Sequence, residues 1–186
     1  IPSAPNQLSN NLSLFAPEKT DKFLRGRIIH SLLQILPNIP TEKRWNLAKK
    51  YLLDEYPKLD NEQKDEYITT VLKVINFPCL SEIFSKNAFV EAPLNGTVKE
   101  NGIDREVRAR VDRLVVSDKE VIITDFKTDK RPPKKFDDIE ERYQKQMNLY
   151  YKLIKKIYPK HIIRSMLIWT EGPKIIEFPE EYFSQS

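Results

Sequence analysis

The sequence predicts one α/β domain: a mixed β-sheet, made of an antiparallel meander plus two later strands, flanked by helices and preceded by a helical N-terminal part. Three observations predict it. Residues 21–75 hold three apolar patterns at helical spacing. Residues 88–127 hold short β-branched runs separated by turn signals. A long amphipathic run, Asp138 to Tyr158, then separates that meander from two further strand patterns. With 186 residues, 40% hydrophobic and 31% charged, the chain is long enough for one substantial core. Its pattern shows no internal repeat and no second core.

Residues 1–20, rich in Asn, Ser and Pro, carry no period. They begin Ile1-Pro2-Ser3-Ala4-Pro5 without an initiator Met and read as a flexible linker inside a longer chain, leaving residues 21–186 as the domain. Asp21 is the expected N-cap of a first helix with a stripe of Phe23, Leu24, Ile28, Leu32 and Ile35; His30 falls inside this helix, and Pro37 ends it. Thr41 starts a second helix, with Trp45, Leu47, Ala48, Tyr51 and Leu52 on its apolar side. Arg44 stands where a capping-box Glu belongs, and Pro57 closes the run. Asp60 and Gln63 are placed for a capping box that opens a third helix, which buries Tyr67, Ile68, Val71, Leu72, Val74 and Ile75 and stops before Pro78. Leu80–Phe84 reads as one short helical turn.

Ala88–Leu94 is the first strand expected, carrying Glu91. Asn95-Gly96 predicts a tight turn, Thr97–Lys99 a second strand, and Asn101-Gly102 a further turn. In the next strand Val107, Ala109 and Val111 alternate with Arg108, Arg110 and Asp112, the period of two that marks a half-buried strand. Ser117-Asp118-Lys119 turns the chain into Val121–Lys127, a nearly continuous β-branched run that suits a central strand covered on both faces. Thr128–Asp137 is a basic loop around Pro132-Pro133. The helix from Asp138 buries Met147, Tyr150, Ile154 and Ile157, joined by Tyr143 and Leu153. Ile162–Thr170 and Lys174–Phe178 are the last strands, joined by a turn at Glu171-Gly172-Pro173.

Three charged groups interrupt the apolar pairing of the central hairpin: Asp112, Asp125 and Lys127. Buried charge is costly unless it is paired or meets a metal. Two carboxylates facing each other across a hairpin suit a hard divalent cation. Asp125 and Lys127, two apart on one strand, leave the same face, which sets an ammonium beside the carboxylates, where it can orient water and steady a phosphate. Composition narrows the alternatives. A single cysteine, Cys79, excludes an intramolecular disulfide and any Cys-clustered zinc or iron–sulfur site, reads as a plain buried thiol, and favours a reducing cytoplasm. Four glycines leave no Walker-type loop. No apolar run approaches a membrane span. A net charge of +4 permits an anionic partner without requiring one.

The segments RGRIIHSLLQ, VEAPLNG, RARVDRLVV, IITDFKTDKRPP and QMNLYYKLI, in that order, resemble the RecB-like branch of the PD-(D/E)XK nuclease superfamily. In that branch a histidine helix, a Glu-bearing strand, an Asp ahead of an Asp-x-Lys strand and a Gln-x-x-x-Tyr helix form the signature. The resemblance spans about Asp21 to Phe183 and is strongest to the nuclease domain at the C-terminal end of AddA-type helicase-nucleases. It implies a restriction-endonuclease-like core. It also implies His30, Asp112 and Asp125 as side-chain metal ligands, the Phe126 carbonyl as a backbone ligand, and Lys127 as the catalytic lysine. Glu91 matches an acidic position serving a second metal or its waters, and Gln146 and Tyr150 match a DNA-proximal motif. The basic residues Lys130, Arg131, Lys134 and Lys135 are assigned to backbone phosphates.

What the resemblance implies about activity is phosphodiester hydrolysis of DNA with Mg²⁺, or Mn²⁺ in its place, by an exonuclease acting in double-strand break repair and recombination. The implied partners are DNA, a helicase portion of the parent chain and an AddB-like subunit. Two other readings stay open: a non-catalytic DNA-binding or scaffold domain that kept the fold, and a free-standing exonuclease.

Overall fold

The computed structural model describes residues 17–100 and 102–184. Three helices come first: α1 (Pro17–Ile35), α2 (Thr41–Glu55) and α3 (Asn61–Ile75). The long strands β1 (Ala88–Glu100), β2 (Ile103–Val116) and β3 (Glu120–Lys127) follow. Helix α4 (Glu141–Ile157), strands β4 (Ile162–Trp169) and β5 (Lys174–Glu177) and the short α5 (Glu180–Ser184) complete the chain. The strands form one sheet in sequence order, β1-β2-β3-β4-β5. Every neighbouring pair is antiparallel except β3 and β4. That parallel pair needs a crossover, and α4 supplies it.

Helices α1–α3 cover one face of the sheet, packing Ile28, Leu32, Leu52, Ile68 and Val71 against Val115, Ile122, Phe126 and Ile168. Helix α4 and the C-terminal segment cover the other, where Met147, Leu153, Ile154 and Phe183 meet Val121, Ile123, Leu167 and Trp169. Every residue of β3 from Val121 to Lys127 is buried, as its composition predicts.

Local signals set several boundaries. Asp60 caps α3 as expected: its carboxylate accepts the Gln63 N–H at 2.7 Å, and Gln63 Oε1 accepts the Asp60 N–H at 3.1 Å. Such a cap is worth about 1 kcal/mol. Arg44 reaches back from α2 to the carbonyls of Ile39 and Pro37. It thereby holds the preceding 3-10 turn at Leu36–Asn38 rather than completing a box.

Other expectations are corrected. Residues 17–20 are helical, so Asp21 lies inside α1 and not at its cap. Residues 1–16 of the expected linker lie outside the described residues. Helix α4 starts at Glu141, after a 3-10 turn at Phe136–Asp138. Ile157, in its last turn, is exposed, and so is Cys79, whose neighbour Leu80 takes the buried position.

The largest correction concerns Asn95-Gly96. It is not a turn: both residues pair within β1, against Arg108 and Val107. Positive φ among the described glycines falls on Gly102 and Gly172, so the hairpin turns at Gly102 and residues 88–100 form one strand. Gly96 answers a packing demand instead. A Cβ there would stand 2.8 Å from Leu153 Cδ2, so its absence lets α4 lie close on the hairpin.

Candidate active site

Helix α1 delivers His30 to the sheet because its first half is tied to the end of β3. The buried Arg25 donates from Nη1 to the Thr128 carbonyl at 2.8 Å and pairs with Glu171 in the β4–β5 turn. Gly26 lies so close that a Cβ would sit 3.0 Å from Thr128 Oγ1. One turn further along α1, His30 Nδ1 is 3.5 Å from Asp112 Oδ1. A further turn on, Gln34 donates to Glu91 Oε1 at 2.6 Å. The i, i+4 spacing puts His30 and Gln34 on one helical face. The sequence signature does not single out Gln34, although that spacing from His30 is a signal that could find it.

The ladder between β1 and β2 pairs Val90 with Arg113 and Ala92 with Val111 but skips Glu91 and Asp112. Glu91 has φ 51°, the left-handed region that costs a non-glycine residue energy. On either side of this gap the hairpin changes faces. Ala88 and Val115 pack with α1–α3, whereas Ala92 and Val111 pack with α4, although evenly spaced residues of a flat ladder share a face. Asp112 and Asp125 therefore do not pair across the ladder, which ends at Arg113 and Thr124. Asp112 Oδ2 instead accepts the Phe126 N–H at 2.7 Å, and its other oxygen remains for His30.

Asp125 and Lys127 do leave one face, and Lys127 Nζ sits 2.5 Å from Asp125 Oδ2. The ammonium also donates to Gln146 Oε1 at 2.7 Å and lies 4.1 Å from the centre of the Tyr143 ring. Gln146 passes the order on: its amide donates to the Tyr150 hydroxyl at 2.8 Å, and that hydroxyl donates to the Arg110 carbonyl at 2.8 Å. Tyr150 is buried. Gln146 and Tyr150, expected near DNA, thus spend these polar atoms inside the protein, holding Lys127 against the hairpin. Tyr143, under the ammonium, reads from the sequence only as a core residue.

The electrostatics follow from burial. Asp125 is 5% exposed and Lys127 8%. Burial first, and the neighbouring charge of Asp112 second, push the Asp125 carboxyl above the usual carboxylate range, against the pull of Lys127. For His30, burial opposes protonation, but the contact with Asp112 and the charges of Asp112 and Asp125 outweigh it and raise the imidazole pKa. A buried carboxylate beside a second negative charge favours a cation near it. An imidazole, two carboxylates and the Phe126 carbonyl are a donor set that divalent ions accept. Among the described residues, however, no group of three or more His, Cys, Asp or Glu side chains is arranged to hold an ion. His30 and Asp112 meet, while Asp125 is engaged by Lys127 instead.

The basic loop is more neutral than its lysines suggest. Lys135 pairs with Asp137 at 2.9 Å. Arg131 lines a small cavity with Asp129, Asp138 and Glu140. Lys130 and Lys134 are exposed.

Comparison with known proteins agrees with the mixed sheet and its helical layers. The chain is 26% identical over 163 residues to an ATP-dependent helicase/nuclease subunit from Streptococcus pyogenes serotype M12 (strain MGAS2096), and the match covers 82% of this chain and 13% of that protein. The same protein from serotypes M28 (strain MGAS6180) and M3 (strain SSI-1) matches to the same extent. The chain thus spans 13% of the length of the curated relatives it matches. A solved structure, "Crystal structure of SSO0001", is 14% identical and covers 89% of this chain and 81% of its own, with a TM-score of 0.38, too loose a superposition to bear on the fold. The model of the PD-(D/E)XK nuclease superfamily matches residues 7–181, and with nearly the whole chain inside that match, this protein belongs to the PD-(D/E)XK nuclease superfamily.

Proposed function

We propose that this chain is a Mg²⁺-dependent deoxyribonuclease, an exonuclease domain of an AddAB- or RecBCD-type helicase-nuclease acting in double-strand break repair and recombination. Its partners in this reading are DNA, a helicase portion of a longer chain and an AddB-like subunit, and its compartment is the cytoplasm. No described helix is long and apolar enough to cross a membrane. The observation that carries the reading is the buried Asp125–Lys127 pair, set at the strand end where Asp112 and His30 also meet.

The superfamily generally uses divalent metal ions. His30, Asp112, Asp125 and the Phe126 carbonyl would hold one, with Glu91 serving a second. Such an ion, when bound, supplies positive charge that eases ionisation of water and offsets charge on the phosphate. The chain's own groups do the rest. Lys127 has three N–H donors, of which Asp125 and Gln146 take two. The third is available to a phosphate oxygen or to the attacking water. Water attacks phosphorus and gives up a proton to solvent, while the bond to the leaving oxygen breaks and that oxygen takes a proton from solvent. Low exposure around Asp125 and Lys127 keeps solvent from weakening these interactions.

The test is degradation of linear single- and double-stranded DNA with Mg²⁺ or Mn²⁺, beside Asp125→Ala. Cleavage by the native protein and none by a folded Asp125→Ala variant is the expected result. Equal cleavage by both would overturn the site, and no cleavage by the native protein with either metal would overturn the activity.

A further inference from the structure

Beyond the catalytic cluster, the outer part of the β1–β2 hairpin has one face packed on α4 and one face uncovered. Leu94, Val98 and Val111 take the packed side, with Val107 and Ala109 half-buried beside them. The residues between them point the other way. They line an open groove of about 840 Å³ with Pro93, Asn95 and Thr97 on one strand and Glu106, Arg108 and Arg110 on the other. The ladder sets these directly opposite: Pro93 against Arg110, Asn95 against Arg108, Thr97 against Glu106. Short side chains on β1 facing long ones on β2 make the concavity.

The groove opens onto the site. Arg110 Nη1 is 3.6 Å from Glu91 Oε2, yet the Arg110 side chain keeps 67% exposure. Its backbone carbonyl receives the hydrogen bond that ends the Lys127–Gln146–Tyr150 relay. Arg108, two residues further out, is exposed and has no hydrogen bond or ion pair among the described residues. Two strand residues span about 6.8 Å, so the two guanidiniums form a short row leading toward Asp112. Both are rigid forks suited to phosphate oxygens. Glu106 at the outer end sets a negative limit to the row. The groove contains no aromatic ring on which a base could stack, so its chemistry is that of backbone contact without base reading.

We infer that this uncovered hairpin face is a track for the sugar–phosphate backbone of the DNA strand entering the site, with Arg108 and Arg110 as its phosphate contacts. The inference rests on the nuclease reading for what lies at the end of the track, but not for the binding itself. The experiment is fluorescence anisotropy of labelled oligo(dT), with Ca²⁺ in place of Mg²⁺, across a salt series. It compares the native protein, Arg108→Ala/Arg110→Ala, the double Lys variant, and Lys130→Ala/Lys134→Ala in the loop.

Each lost phosphate contact lowers the salt slope for a single strand by about 0.7. The double Ala variant should therefore lose a slope of about 1.4 and bind at least tenfold more weakly at moderate salt, with partial recovery in the double Lys variant. In the cleavage assay KM for DNA should rise. Unchanged affinity and slope in the double Ala variant would overturn the track, whatever the native protein cleaves. Arginine-dependent binding by a native protein that cleaves nothing would overturn the nuclease reading and leave the track standing. A native protein that binds no oligonucleotide would overturn both.

Discussion

Strand β2 carries arginines with opposite fates. Arg113, beside β3, is 2% exposed; its Nη2 donates to the Leu33 carbonyl at 2.6 Å and its guanidinium stacks 5.2 Å over the Phe84 ring. Arg108 and Arg110, a few residues outward, are exposed on the uncovered face. All three stand on one strand within six residues of each other. What separates them is the covering: Val111, Leu114 and Val115 are buried, while only one side of the outer half is packed. In the covered half a charge survives only with assigned partners, so Asp112, Arg113, Asp125 and Lys127 are fixed by the fold. In the open half a charge keeps its water and stays available to a ligand. Leu33 lies in the last turn of α1, where carbonyls lack helical partners, so Arg113 serves as that helix's C-terminal cap. Burial lowers its pKa, while Asp112 and Glu91 pull the other way.

The covered half should therefore answer mutation with lost chemistry or lost stability, and the contrast can be tested in descending order of effect. Lys127→Ala should slow single-turnover cleavage by about 10²–10³-fold, the range for removing one preorganised hydrogen-bond donor from the reacting oxygens. Oligonucleotide affinity should barely change; a variant that binds poorly yet cleaves normally once bound would move Lys127 into the class of Arg108. Arg113→Met keeps the apolar stem but strands the Leu33 carbonyl. It should cost about 2–3 kcal/mol and lower Tm by roughly 5–10 °C, against little change for Arg108→Met; equal shifts would erase the distinction between the halves.

Gly96→Ala probes the packed side of the open half. Pushing a methyl against Leu153 should cost about 1 kcal/mol, and Leu153→Ala should remove that increment in a double-mutant cycle. Full additivity would show that Gly96 matters for some reason other than α4. The smallest effect belongs to an exposed pair, Arg164 and Glu177, bonded through two contacts of 2.6 and 2.9 Å. The hydrogen bonds from Arg164 hold the Glu177 carboxyl below its usual range. Its contribution is therefore present above the unfolded carboxyl pKa of about 4.3 and disappears as pH falls through the lower folded value. Solvent screening limits it to a few tenths of a kcal/mol. Native protein and Glu177→Gln should differ slightly in Tm at neutral pH and converge in acid; a constant gap would point to packing rather than charge.

Much of this organisation is legible along the chain where short-range rules operate. Asp60 and Gln63 announce the start of α3, and the β-branched run at Val121–Ile123 announces a covered strand. Asn95-Gly96 misleads for a physical reason. Its turn preference is small, and the ladder to Arg108 and Val107 together with the close approach of Leu153 outweighs it. The residues of the site are nameable through their resemblance to a nuclease signature, but their partners are not. Nothing local shows that Gln34 holds Glu91, that Glu91 takes a positive φ, or that Tyr150 turns its hydroxyl to the Arg110 carbonyl.

By itself, the order of residues determined the sequence of helices and strands, though not every boundary, and which polar groups had to be explained. Periodicity and caps act within a few residues, and a charge in an apolar run is costly wherever that run ends up. Only the tertiary structure decided that the hairpin changes faces at Glu91 and Asp112, that Asp125 is held by Lys127, and that two arginines of β2 stay in water while a third is buried. Those outcomes depend on which surfaces α1 and α4 cover, and helices distant in sequence are brought to the sheet by the burial of the whole core rather than by any local preference.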